Sequence, residues 1–208
     1  MPQEGQHEAG RFPRGMLAET VPAGGVLIRV HNLAHVPLWF GPQPGIPPQY
    51  RFDAPNGEYR VLYCAARLAG AFVESVLHRP ASRIVARAYV EERGWSELTT
   101  RRALRLVKLR DEGLHWHGTD AAISASDDYG TPRRMALALY NAFPEADGIA
   151  YRARHNNGEV CYAVFNRVPA ADLVPGPPRR FAEHRVVVDQ LMALHGALFD
   201  TDPPVPPP

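Results

Sequence analysis

RFDAPNGEYRVLYCAARLAGAFVESVLHR, residues 51–79, reads as a turn, a strand and a helix in immediate succession. Pro55-Asn56-Gly57 is turn chemistry, because proline presets φ and Asn-Gly tolerates positive φ. Val61 to Ala66 is a short apolar run bounded by that turn, which predicts a strand. Leu68 to His78 then carries helix formers at helical spacing. On such a helix Glu74 has Gly70 and Ala71 one turn before it and Leu77 and His78 one turn after, so the carboxylate points over small residues. Gly70 and Ala71 are expected to leave room for a ligand; the bland alternative is a solvated glutamate at the edge of an amphipathic helix.

Outward from this unit, Gly25 to His31 predicts a strand whose Arg29 and His31, two apart, project to one face. Residues 1–25, rich in Gly, Pro, Gln and Glu, read as a flexible arm, and the Pro-rich residues 201–208 as an unpacked tail. Pro37 to Pro48 is a long Pro/Gly loop carrying Trp39 and Phe40, a wall or lid beside Arg51 or a loop anchored by its aromatics. Downstream, Ser82 to Glu92 has a mixed pattern, and Ala103 to Leu109 alternates like a half-exposed strand with a basic stripe of Arg101, Arg102, Arg105, Lys108 and Arg110. Thr131-Pro132 predicts a helix start, with Thr131 as the capping side chain and a stop before Pro144. Gly148 to Ala153 and Glu159 to Phe165 predict a hairpin turning at Asn156-Asn157-Gly158, and Val186 to Leu198 a last amphipathic helix. The order predicts one α+β domain over residues 26–200, a mixed sheet with flanking helices rather than a βαβ series.

With 208 residues, 45% of them hydrophobic, the chain can bury one sizeable core. A net charge of +1 supplies no global field toward nucleic acid or an anionic membrane, and no apolar run is long enough to span a bilayer, so a cytoplasmic protein is expected. Cys64 and Cys161 lie in apolar runs, predicting buried thiols. His115-Trp116-His117 lacks metal-ligand spacing, and no metal site is expected; glycine-rich nucleotide motifs are absent too.

RFDAPNGEYRVLY followed by AFVES resembles the core of the RES domain family, bacterial toxins of toxin–antitoxin pairs named for Arg, Glu and Ser. GIAYRARHNNGEVCYAVFNR, Gly148 to Arg167, resembles the family's second block. The resemblance implies an ADP-ribosyltransferase-like fold and Arg51, Tyr63 and Glu74 as catalytic residues. It also implies Arg29, Arg51, Tyr63 and the position of Ala153 as the binding set, with NAD+ as substrate and no cofactor. An antitoxin with a helix-turn-helix domain is the implied partner; a homodimer is compatible, and neither nucleic acid nor membrane is a direct partner. The chain departs from the pattern where the family has serine two residues after the tyrosine: Tyr151 is followed by Arg152 and Ala153.

The chemistry so implied is cleavage of the nicotinamide–ribose bond, by hydrolysis or phosphorolysis, through an oxocarbenium-like state that Glu74 would stabilise. Arg51 and Arg29 would bind the phosphates bidentately, and Tyr63 would pack on the ring or ribose and donate its hydroxyl. A lost serine hydroxyl would cost about 1–3 kcal/mol, roughly tenfold to a hundredfold in rate, and Ser75, one residue from Glu74, is expected on another helix face. An attenuated enzyme, an introduced substitution and a silent NAD-binding module all remain open, as does protein ADP-ribosylation.

Overall fold

A computed structural model describes residues 12–77 and 83–201. In chain order, β1 is Ala18–Val21, β2 Val26–Asn32, β3 Val61–Ala65 and α1 Leu68–Ser75. Next come β4 Ile84–Val85, α2 Arg87–Glu91, β5 Arg93–Thr100, β6 Leu104–Lys108, α3 Glu112–Trp116 and α4 Ala122–Ala125. The remainder is α5 Gly130–Ala142, β7 Gly148–Ala153, β8 Asn156–Phe165, β9 Leu173–Pro175, β10 Arg179–Arg180, α6 Arg185–Leu194 and β11 Leu198–Phe199. This is the α+β architecture that the element order predicts. The expected helix over Leu68 to His78 ends at Ser75, and His78 lies outside the described residues.

The main sheet runs β1-β6-β7-β8-β3-β2-β5-β10, with β9 also on β5, while β4 and β11 form a separate parallel pair. Neighbours in the main sheet are antiparallel except β6 and β7. Side chains alternate across it, as the two-residue period of a strand requires. Val61 and Ala65 of β3 enter the larger core with Phe72 of α1, Met135 and Leu139 of α5, and Leu191 of α6. Leu62 and Cys64 enter a smaller core with Leu27, Leu98 and Leu106. Both cysteines are buried free thiols.

Three expectations are corrected in detail. Part of the segment read as an arm forms β1, which pairs with β6 from Ala18↔Val107 to Val21↔Leu104 because Val21 has an apolar surface to bury. Helix α5 begins at Gly130, and its first turn is held by Asp128 rather than Thr131: Asp128 accepts from Gly130 N–H at 2.8 Å and from Thr131 Oγ1 at 2.7 Å. The β7–β8 hairpin turns at Arg154-His155, since Ala153 pairs with Asn156 and Asn156 to Gly158 lie within β8, past a register shift at Arg152/Ala153. Gly158 is not at positive φ, whereas Gly57 of the upstream turn is, at φ +82.

The basic stripe is largely paired. Arg102 bridges Asp147 at 2.7 Å and Asp172 at 2.8 Å, Lys108 meets Glu112 at 2.6 Å, and Arg110 meets Glu19 at 2.7 Å. No helix among the described residues is long and apolar enough to cross a membrane.

Candidate active site

β2 and β3 touch through a single register pair, Ile28↔Ala65, although β2 pairs with β5 along all seven of its residues. Beyond Ile28 the two strands part, and a cavity of about 930 Å³ opens between them, lined by Arg29 to Asn32 on one side and Val61, Tyr63 and Cys64 on the other. That is near the upper end of the roughly 300–1,000 Å³ of small-molecule sites. The free edge of β3 is satisfied by the Pro/Gly loop: Gly41 and Val61 exchange hydrogen bonds of 3.1 and 2.9 Å. A Cβ on Gly41 would press on the Trp39 ring, which would have to shift to admit it. Trp39 lines the cavity as a wall, while Phe40 is anchored against the smaller core.

Glu74 enters from α1, and it is the sole carboxylate lining the cavity among the described residues. Gly70 serves a different purpose from the one expected: an added Cβ would meet Glu159 Cβ at 3.0 Å and Ala65 Cβ at 3.3 Å, so this glycine seats α1 on the sheet. Ala71 and Ser75 do line the cavity, so Ser75 shares the site with Glu74. Arg154 N–H donates to Glu74 Oε1 at 2.8 Å. Burial pushes the Glu74 carboxyl above its ordinary 4.5, against the pull of that N–H, the Arg51 and Arg154 charges and a Tyr151 hydrogen bond.

Arg51 is 7% exposed and lines the same cavity. Its guanidinium lies 4.7 Å from the Tyr129 ring centre and donates to the Ile123 carbonyl at 3.4 Å. Burial lowers its pKa, with Arg154 reinforcing and Tyr129 and Glu74 opposing. The expected convergence of Arg51 and Glu74 therefore exists. Arg154, at the tip of the β7–β8 turn, is a third member that the sequence did not single out; its Nη2 also meets Asp127 at 2.5 Å.

Tyr63 presents its ring to the cavity, but its hydroxyl is engaged behind it: it donates to Asp53 Oδ1 at 3.0 Å and accepts from Phe52 N–H at 3.0 Å. Asp53, fully buried, also accepts from Gln49 N–H at 2.8 Å and Tyr50 N–H at 2.7 Å. The turn carrying Tyr50 and Arg51 is thus tied to β3 through one carboxylate.

Arg29 and His31 line the cavity from β2. Arg93, at the start of β5, lines the cavity as well. Ala153 is fully buried in the larger core and does not form part of the cavity wall. Among the described residues no cluster of His, Cys, Asp or Glu could hold a metal ion.

Compared with known families, the RES domain model matches residues 26–186. The chain belongs to the RES domain family. A comparison with curated proteins gives no match. Among solved structures, the RES chain is similar to one in the crystal structure of the M. tuberculosis MbcT-MbcA toxin-antitoxin complex. The two share 17% identity with a TM-score of 0.65, covering 92% of this chain and 98% of that one. At that identity the likeness concerns the fold, and the RES site is argued from its own geometry.

Proposed function

We propose that this RES protein cleaves the bond between nicotinamide and ribose in NAD+, and that it acts as the toxin of a toxin–antitoxin pair. The observation that carries the reading is a lone carboxylate, Glu74, set beside two cations, Arg51 and Arg154, in a deep cavity. A departing nicotinamide takes the bonding pair and becomes neutral, so the reaction needs little help from a general acid. Positive charge develops on the ribose, and a carboxylate fixed by Arg154 N–H opposes it without reorganising. Arg51 and Arg154 would hold the diphosphate, and the aromatic walls would exclude water from the breaking bond.

Glu74 must be ionised for this role, and its raised pKa makes that condition harder to meet on the acid side than for an ordinary glutamate. Incubation of purified protein with NAD+, with and without inorganic phosphate and with a cell extract, separates the acceptors. ADP-ribose signifies water, its 1-phosphate signifies phosphate, and label on protein signifies transfer to a side chain. Release of nicotinamide in none of the three would overturn the reading.

A second reading, a silent NAD-binding module, rests on Ala153 at the position where the sequence resemblance implies serine, a position buried away from the cavity wall. The Glu74 carboxylate already accepts from Arg154 N–H and Tyr151 without that serine, which supports a working site. An antitoxin with a helix-turn-helix domain, occluding the cavity of a cytoplasmic toxin, completes the proposal. Recovery of such a protein with this chain from co-expression checks it.

A further inference from the structure

Arg51 stands on a stretch with no regular structure of its own: residues 42–60 carry neither helix nor strand. Contacts from other elements must therefore fix where its guanidinium lies. Asp53 supplies one set, accepting from Gln49 and Tyr50 N–H and, through the Tyr63 hydroxyl, tying the stretch to β3. The carbonyls of the same stretch go to α5. Arg133 Nε donates to the Tyr50 carbonyl at 2.9 Å, and its Nη2 to the Pro48 carbonyl at 3.1 Å. The peptide unit between Pro48 and Gln49 is thus held at both ends, by a cation on its oxygen and a carboxylate on its N–H. The Tyr50 carbonyl belongs to the next fixed peptide, the one that leads into Arg51.

Helix α5 can serve as the anchor because Met135, Ala136 and Leu139 are buried in the larger core. Tyr129 and Arg133 lie four residues apart at its start, with Arg133 N–H on the Tyr129 carbonyl at 3.2 Å, and so share one face. Both guanidiniums meet the Tyr129 ring, Arg51 at 4.7 Å from its centre and Arg133 at 5.5 Å. The start of α5 therefore grips the stretch twice, its backbone through Arg133 and its functional side chain through Tyr129. Tyr129 and Arg51 line the cavity, whereas Arg133 does not. Among the described residues, both side-chain hydrogen bonds of Arg133 go to the stretch that carries Arg51.

We infer that Arg133 is a positioning residue, which docks the stretch bearing Arg51 onto the start of α5 so that the Arg51 guanidinium rests on Tyr129 and faces the cavity. Two carbonyls are met at once by a planar fork, which the single ammonium of a lysine does less well. The inference deepens the proposed reaction and rests on Arg51 as a ligand of the diphosphate, yet it can be tested without turnover.

ADP-ribose carries the diphosphate without nicotinamide, so calorimetric titration of the full chain with it reports on Arg51 alone of the two steps, binding and cleavage. Arg133→Met is expected to weaken ADP-ribose by about tenfold, as displacement of a binding group does, and Arg133→Lys by less. In NAD+ turnover Arg133→Met should raise KM with kcat little changed, because the diphosphate is held alike in the ground and transition states. A residue needed only for folding would lower the active fraction and leave KM where it is. Arg51→Met supplies the decisive comparison: with Arg133 acting through Arg51, the double variant binds ADP-ribose no more weakly than Arg51→Met alone. Additive losses overturn the inference. So does unchanged ADP-ribose affinity in Arg133→Met beside a loss in Arg51→Met, a result that would leave Arg51 its role. Full wild-type affinity in Arg133→Lys overturns it too, since charge rather than docking would then be at work. Should Arg133→Met fail to fold, Arg133→Lys combined with Arg51→Met completes the same comparison. Absence of nicotinamide release beside preserved coupling of Arg133 to Arg51 would sink the catalytic reading alone.

Discussion

Glu74 is where function and stability pull in opposite directions. Its folded pKa is raised, so the folded state holds the proton more tightly than the unfolded chain, and ionisation weighs against folding as pH climbs above 4.5. Glu74→Gln removes that burden while keeping an oxygen for Arg154 N–H. Its melting temperature is predicted to exceed that of the wild-type protein at pH 8 and to converge with it at pH 4, as calorimetry at both values would reveal. The same substitution is predicted to slow nicotinamide release by about 10²–10³-fold. For the wild-type protein kcat should fall as pH drops through a value above 4.5, because the ionised carboxylate is the proposed working form. Asp53 is a fully buried acceptor for two backbone N–H groups and the Tyr63 hydroxyl. Asp53→Ala strands those donors and is predicted to cost about 1–3 kcal/mol in urea unfolding. It should also raise KM for NAD+ by loosening the turn that holds Arg51; an unchanged KM would show that this turn needs no such tie.

Among the elements, α1 and the β7–β8 hairpin set the site together. Gly70 lets α1 lie against β8, and Arg154 N–H reaches back from the hairpin turn to Glu74. Gly70→Val would press into Glu159 and Ala65, an overpacking predicted to cost about 1–3 kcal/mol and to lower kcat by shifting Glu74; a variant with full activity would contradict this packing. Where local pattern and tertiary contact agree, the sequence was readable. The Gly57 turn, β3, α1 and α5 follow from turn chemistry and periodicity, whereas Arg51, Tyr63 and Glu74 were singled out by the family resemblance. Asn156-Asn157-Gly158 misled, because the hairpin turns instead at Arg154, whose backbone is tied to Glu74 from another element. β5 was not recognised: RGWSELTT has weak apolar alternation, and the strand owes its burial to β2 on one side and β9 and β10 on the other. Arg93, Arg154 and Tyr129 were missed for a related reason. Each reaches the cavity from a strand start, a turn or a helix cap, positions where an arginine or tyrosine looks solvated in sequence.

Taken together, the RES fold assembles a cationic cavity in a chain whose net charge is only +1. The small net charge gives no global pull on an anion, so attraction for an anionic ligand is expected to come from the gap between β2 and β3. Binding of NAD+ should weaken as NaCl rises, but less than for an open basic face, because buried charges are screened less. Titrations at 0.05 and 0.5 M salt would check that modest slope. The account depends on one placement, the nicotinamide ribose against Glu74 with the diphosphate on Arg51 and Arg154. A crystal structure of the Glu74→Gln protein with NAD+ measures it directly. The account predicts intact dinucleotide in the cavity between β2 and β3, with the nicotinamide ribose against residue 74 and the diphosphate on both arginines. Dinucleotide bound outside that cavity, or seated in reverse with its adenosine at residue 74, would contradict it.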